Sequence, residues 1–146
     1  MALILDGLTK TFSSFPAVNN LSYTMDTGVY GLLGVNGAGK TTLMRMLCTL
    51  LTPTSGTITW DGQDIFSLGS AYRNLLGYLP QDFGLFDELT VTQFLDYMAA
   101  LKGLRSPQAA IRDVIRAVNL EEKARARIRT LSGGQRQRVG IAQALL

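Results

Sequence analysis

Apolar residues follow two regimes along this chain: short runs and alternations dominate the first half, and helical stripes dominate after Thr90. Leu3 to Phe12 reads as a strand. Leu21-Ser22-Tyr23-Thr24-Met25 alternates apolar and polar, the pattern of a half-buried strand, and Asp26-Thr27-Gly28 turns the chain. Val29-Tyr30-Gly31-Leu32-Leu33 is a short apolar run, which predicts a strand covered on both faces. After a glycine-rich stretch, Leu43, Met44, Leu47, Leu50 and Leu51 recur at spacings of three and four, predicting a helix from about Thr41 to Leu50 that Thr52-Pro53-Thr54-Ser55-Gly56 ends. Thr57 to Trp60 and Gln63 to Ile65 flank Asp61-Gly62, a strong hairpin signal. Leu75 to Leu79 predicts a further strand, stopped by Pro80.

In the second regime, Val91, Phe94, Leu95, Met98 and Leu101 form one helical stripe. Ser106-Pro107 reads as an N-cap followed by proline at the first helical position. The helix it opens carries Ile111, Val114, Ile115 and Val118, and Asn119 closes it. A last helix begins near Ser132. There is no internal repeat and no low-complexity segment. Strands come first and helices after, which predicts a mixed-sheet domain with a helical insertion.

Composition narrows the function classes. The 146 residues are 47% apolar and 17% charged, suited to a buried core and not to disorder. No apolar run reaches the roughly 18 residues of a membrane-spanning helix, and Met1-Ala2-Leu3-Ile4-Leu5-Asp6 has no signal-peptide character. Cys48 is the one cysteine and histidine is absent, so an internal disulfide and a Cys/His zinc site are excluded. The net charge of +3 is uneven, because residues 102–146 carry 10 basic and 3 acidic side chains. No aromatics are interleaved with these arginines, so they read as a solvated helical face and no nucleic-acid partner is expected.

The sharpest chemistry lies in Gly34-Val35-Asn36-Gly37-Ala38-Gly39-Lys40-Thr41, which fits G-x-x-x-x-G-K-[ST]. A triphosphate is dense negative charge and needs many donors at close range. Glycines let successive N–H groups turn toward one oxygen cluster, and the following helix adds its unpaired N–H groups and the positive end of its dipole. Lys40 supplies a mobile charge for the β- and γ-phosphates. The Thr41 hydroxyl suits Mg²⁺, and Thr42 suits the α-phosphate. An apolar run precedes the loop and an amphipathic pattern follows it, the context that this motif requires. A second anion-binding pattern, Leu131-Ser132-Gly133-Gly134-Gln135, opens the last helix with a serine cap and two glycines.

A phosphate loop followed by Leu-Ser-Gly-Gly-Gln and then Arg136-Gln137-Arg138-Val139-Gly140-Ile141-Ala142-Gln143-Ala144-Leu145 resembles the ABC ATPase family along the whole chain. The resemblance implies an α/β P-loop NTPase (ABC-type) core with an antiparallel β subdomain and a helical subdomain. Residues 1–86 would form the nucleotide-binding core with its β subdomain and Walker A loop, and residues 87–146 the helical subdomain ending in the signature helix. It implies ATP and Mg²⁺ as cofactors. Gln81, in Tyr78-Leu79-Pro80-Gln81, matches the Q-loop glutamine that reaches Mg²⁺ and the attacking water, and whose loop meets the membrane partner. Phe12 stands where the family stacks an aromatic on adenine, usually tyrosine, and Val18 where an aliphatic packs on base and ribose. Leu131 to Gln135 would serve a nucleotide held by a second ATP-binding domain in a head-to-tail dimer.

The family continues past the signature helix with the Walker B strand, whose Asp binds Mg²⁺ and whose Glu is the general base, and later a His. These residues have no acid after Glu122 and no His. On the resemblance the sequence is truncated before that strand, so this stretch alone is expected to bind nucleotide without a positioned base and to leave the Val29–Leu33 strand uncovered. Asp87-Glu88 is no substitute and reads as the turn into the helical segment. The expected role is the ATP-hydrolysing subunit of a transporter, peripheral on the cytoplasmic face of the membrane and working on a separate integral membrane subunit. Phe86-Asp87-Glu88-Leu89-Thr90-Val91 and Leu101-Lys102-Gly103-Leu104 are similar to bacterial exporter-type subunits. The alternative is a soluble relative acting on nucleic acid or the ribosome. Its chromosome-organising branch places a long coiled coil between phosphate loop and signature, and here that gap is short and has no sustained heptads.

Overall fold

The computed structural model describes residues 1–146, which divide into two compact units, Met1–Leu76 and Gly77–Leu146. The segment 77–86 is part of the second unit.

The first unit is built on a four-stranded antiparallel sheet in the order β2-β1-β3-β4. Strands β1 (Leu3–Phe12) and β2 (Phe15–Met25) form a long hairpin closed by Ser13 and Ser14, with Ser13 at φ 53°. Helix α1 (Lys40–Leu47) follows the glycine-rich loop. Strands β3 (Ser55–Trp60) and β4 (Gln63–Asp64) turn through Asp61 (φ 48°) and Gly62 (φ 79°), the pair of positive angles that a two-residue hairpin requires. Two one-turn helices, α2 (Ile65–Leu68) and α3 (Ser70–Arg73), complete the unit. Leu5, Leu8, Met46, Ile58, Ile65 and Tyr72 are its buried centre. Each fully buried aliphatic among them contributes about 1.5–3 kcal/mol.

Two predicted strands do not form. Val29–Leu33 is irregular, with Val29 at 103% and Leu33 at 93% exposure. A strand is held by its ladder, and no segment of residues 1–146 pairs with this one. Local contacts shape it instead: the Tyr30 hydroxyl donates to the Asp26 carbonyl at 3.2 Å, and the Tyr30 ring meets Tyr23 edge-on. Leu75–Leu79 is likewise outside any ladder. Gly77 lies so close to the Ala144 backbone that a Cβ there would overlap the Ala144 carbonyl.

Helix α1 also stops sooner than its apolar spacing predicts. Leu50 donates to the Arg45 carbonyl at 2.8 Å and Thr49 to Met46 at 3.0 Å, with Thr49 at φ 56°. This is a Schellman end in which threonine takes the glycine position. The face it buries centres on Met46, and Met44 and Leu50 are left exposed.

The second unit is helical. Helix α4 (Val91–Leu101) starts with a capping box, Thr90 with Gln93, and buries Val91, Phe94, Leu95 and Ala99. Leu101, placed on the buried stripe by its spacing, is exposed. Helix α5 (Gln108–Ala117) buries Ile111, Val114 and Ile115, and Asn119 at φ 54° ends it in a second Schellman motif through Leu120 and Ile115. Ser106 does not cap it: its φ of 55° is left-handed, not the extended conformation of an N-cap. Helix α6 (Gly133–Leu145) begins after Ser132. Its Gly140 lies against Phe83 and Leu79, where a Cβ would approach to 2.7 and 2.8 Å.

Candidate functional site

The phosphate loop runs from Gly34 to Gly39 without regular structure and enters α1 at Lys40. Gly37 and Gly39 sit at φ 84° and 82°, conformations that a side chain resists. The loop is drawn together by its own lysine. Lys40 Nζ donates to the carbonyls of Gly34 (2.6 Å) and Val35 (2.7 Å), and the Ala38 amide donates to Val35 (3.2 Å). An ammonium spanning the start of the loop from its end fixes the loop's curvature around its N–H groups.

The four helices of eight or more residues differ at their starts. α4 and α6 satisfy early donors with capping boxes, whereas α1 has Gly39 as N-cap and no side-chain cap, and α5, which follows Pro107, has no side-chain cap either. The first amides of α1 are thus free for an anion, with the helix dipole behind them. Thr41 is exposed and Thr42 half-buried in this first turn. The loop's donors and the hydroxyl oxygen of Thr41 suit a triphosphate and a hard divalent cation.

The hairpin supports the loop. A Cβ on Gly39 would overlap the Ala17 carbonyl of β2 and lie 3.5 Å from Val18 Cγ2. Val18 is buried, and together with Gly39, Lys40, Leu33 and Leu43 it lines a cavity of about 240 Å³. Phe12 is half exposed at the tip of the hairpin, paired with Phe15. Sequence reasoning missed Ala17 and Lys10 in this region, because the register of β1 on β2 brings them to the site and no motif marks them. Gly39→Ala is expected to destabilise the first unit by about 2–4 kcal/mol, from the left-handed angle plus the backbone overlap. Gly37→Ala is the comparison, because a Cβ there meets nothing within 4 Å and only the angle costs. A urea midpoint no lower for Gly39→Ala than for Gly37→Ala would remove the Ala17 contact from this account.

In the second unit, Ser132 and Gln135 form a capping box. The Gln135 amide donates to Ser132 Oγ at 3.3 Å, and the Ser132 amide donates to Gln135 Oε1 at 3.0 Å. Leu131 is buried in the helical core, while added Cβ atoms on Gly133 and Gly134 would meet nothing within 4 Å, so the approach to this helix start is open. Arg136 Nη1 donates to Asp87 Oδ1 at 2.7 Å and to the Ile128 carbonyl at 3.3 Å. Asp87-Glu88 forms the turn ahead of α4, and Glu88 pairs with Arg127 and Arg129. This ionic link between the turn and the signature helix had no sequence signal. Gln81 is exposed on an irregular segment of the same unit.

A family model described as ABC transporter matches residues 18–146. The chain is 42% identical to an uncharacterised ABC transporter ATP-binding protein, YxlF, of Bacillus subtilis (strain 168), over 99% of this chain and 48% of that one. It is 37% identical to the Nod factor export ATP-binding protein I of Rhizobium sp. (strain N33), over 100% of this chain and 49% of the relative. The chain thus spans about half the length of these curated relatives. Among solved structures, cbiO1 of Clostridium perfringens, part of the ABC transporter complex cbiONQ, superposes with a TM-score of 0.87 at 27% identity, covering 98% of this chain and 60% of that one. With its phosphate loop and signature helix in the family's order and its fold shared, the chain belongs to the ABC transporter family, as one of its ATP-binding domains.

Proposed function

We infer that this chain is the nucleotide-binding part of an ATPase subunit that drives a separate membrane-embedded transporter. The observation that carries the reading is the phosphate loop, curved by Lys40 and opening onto an uncapped helix. ATP would lie with its phosphates on the N–H groups of residues 37–42 and on Lys40. Thr41 would offer its hydroxyl oxygen to Mg²⁺, and the ion would neutralise charge on the β- and γ-phosphates; a role for Gln81 at the ion rests on the family resemblance alone. Phe12 and Val18 would take the base and ribose.

Leu131 to Gln135 would serve the nucleotide of a second ATP-binding domain, through the open Gly133-Gly134 approach and the Ser132 hydroxyl. No helix here is long and apolar enough to cross a membrane, and the reading assigns that task to a separate membrane subunit. The names of its relatives, ABC transporter ATP-binding protein and Nod factor export ATP-binding protein, support a role in transport; the reading places that role at the cytoplasmic face of the membrane.

The test is reconstitution of the intact protein with its membrane subunit in lipid vesicles, followed by assay of phosphate release. Release is expected to require Mg²⁺ and to rise when the membrane subunit is present. An intact, partnered protein that binds ATP and releases no phosphate would end the ATPase reading.

A further inference from the structure

The hairpin tip carries a contact that the phosphate loop does not explain. Lys10 Nζ sits 5.5 Å from the centroid of the Phe12 ring, over its face, and donates to the Thr52 carbonyl at 2.8 Å. Thr52 lies between α1 and β3, in the segment that leaves the phosphate-loop helix. Two further bonds fasten the same junction: the Thr54 amide donates to the Thr9 carbonyl at 2.8 Å, and the Thr11 amide donates to the Thr54 side chain, at Oγ1, at 3.1 Å. Lys10 is also the register partner of Val18, whose side chain reaches Gly39.

We propose that Lys10 is a positioning residue for the nucleotide base: anchored on Thr52, its ammonium holds the Phe12 ring from one side as a stacking platform. The proposal rests on the reading of Phe12 as the adenine platform and adds what fixes that platform. Phe12 is 47% exposed at the tip of a hairpin, and a phenyl ring there has rotamer freedom that base stacking would have to freeze. A cation over one face restricts the ring beforehand, and the Thr52 anchor ties it to the segment that continues the phosphate-loop helix. A nucleotide touches both the platform and the loop, so it gains from having their separation fixed in advance. Phenylalanine has no hydroxyl with which to secure its own position, which makes the neighbouring cation the available means.

The experiment compares Lys10→Met, Lys10→Arg and Phe12→Ala in the intact protein, titrated by calorimetry with ATP and with tripolyphosphate, which lacks a base. Lys10→Met is expected to weaken ATP about two- to five-fold, the range of an exposed cation–π contact, and to leave tripolyphosphate unchanged. Lys10→Arg is expected to restore ATP affinity. If Phe12→Ala weakens ATP while Lys10→Met does not, the role of Lys10 is wrong and the platform stands. If Phe12→Ala leaves ATP unchanged, the platform reading itself is wrong. Equal loss of ATP and tripolyphosphate in Lys10→Met would make Lys10 a phosphate or folding contact and overturn the proposal.

Discussion

Lys40→Ala is expected to weaken ATP–Mg binding by about 10- to 150-fold, equivalent to roughly 1.5–3 kcal/mol for a charge-assisted hydrogen bond. Two losses combine. The variant removes the loop's one cation, and it removes the bonds to Gly34 and Val35 that curve the loop. Lys40→Arg is not expected to compensate, because a planar guanidinium is larger and its fork cannot follow the two carbonyls and the phosphates as a compact ammonium does. Calorimetric titration of wild type and both variants checks this. An ATP dissociation constant for Lys40→Ala within about threefold of wild type would mean that the phosphates are held elsewhere.

In the intact protein, Ser132→Arg is expected to leave ATP binding by the monomer unchanged and to abolish the ATP-dependent dimerisation proposed above. The substitution places a long cation at the positive end of the α6 dipole, in the open approach beside Gly133 and Gly134. It also removes the cap, worth about 0.5–2 kcal/mol, so a control is needed. Ser132→Ala loses the same cap without adding bulk or charge. If it still dimerises while Ser132→Arg does not, obstruction of the approach is the cause. Size-exclusion chromatography with light scattering, in a slowly hydrolysed ATP analogue, reads the result. A Ser132→Arg dimer under these conditions would show that this helix start does not meet a second nucleotide.

The legible parts of the fold are those whose determinants are close in sequence. The hairpin at Asp61-Gly62, the α5 stripe with its Asn119 stop, and the Ser132 start of α6 each depend on a few neighbouring residues, and each forms as read, except that Ile65, read as the end of the second strand, opens α2 because Asp64 caps a helix there. Val29–Leu33 and Leu75–Leu79 needed a distant partner, and apolar character alone cannot supply a ladder. The α1 stop was hidden because threonine, not glycine, takes the left-handed position. The site divides in the same way. The phosphate loop closes on itself within six residues, from Gly34 to Lys40, so its motif is visible as text. Lys10 reaches Thr52 across 42 residues and Arg136 reaches Asp87 across 49, and neither pair leaves a pattern that spacing can reveal. Phe12 and Gln81 entered only through the family resemblance.

The reciprocal bonds between Ser132 and Gln135 bear on how this protein tolerates variation. In a library of all single substitutions selected only for folded protein, both positions would already be depleted, because each supplies half of a helix cap. Ser132→Asp and Ser132→Thr would survive such a screen and Gly134→Ala would pass almost unnoticed, whatever their effects on activity. Intolerance at the signature would therefore be uneven for two unrelated reasons, and only the difference between a folding selection and a growth selection would isolate the residues that face a ligand.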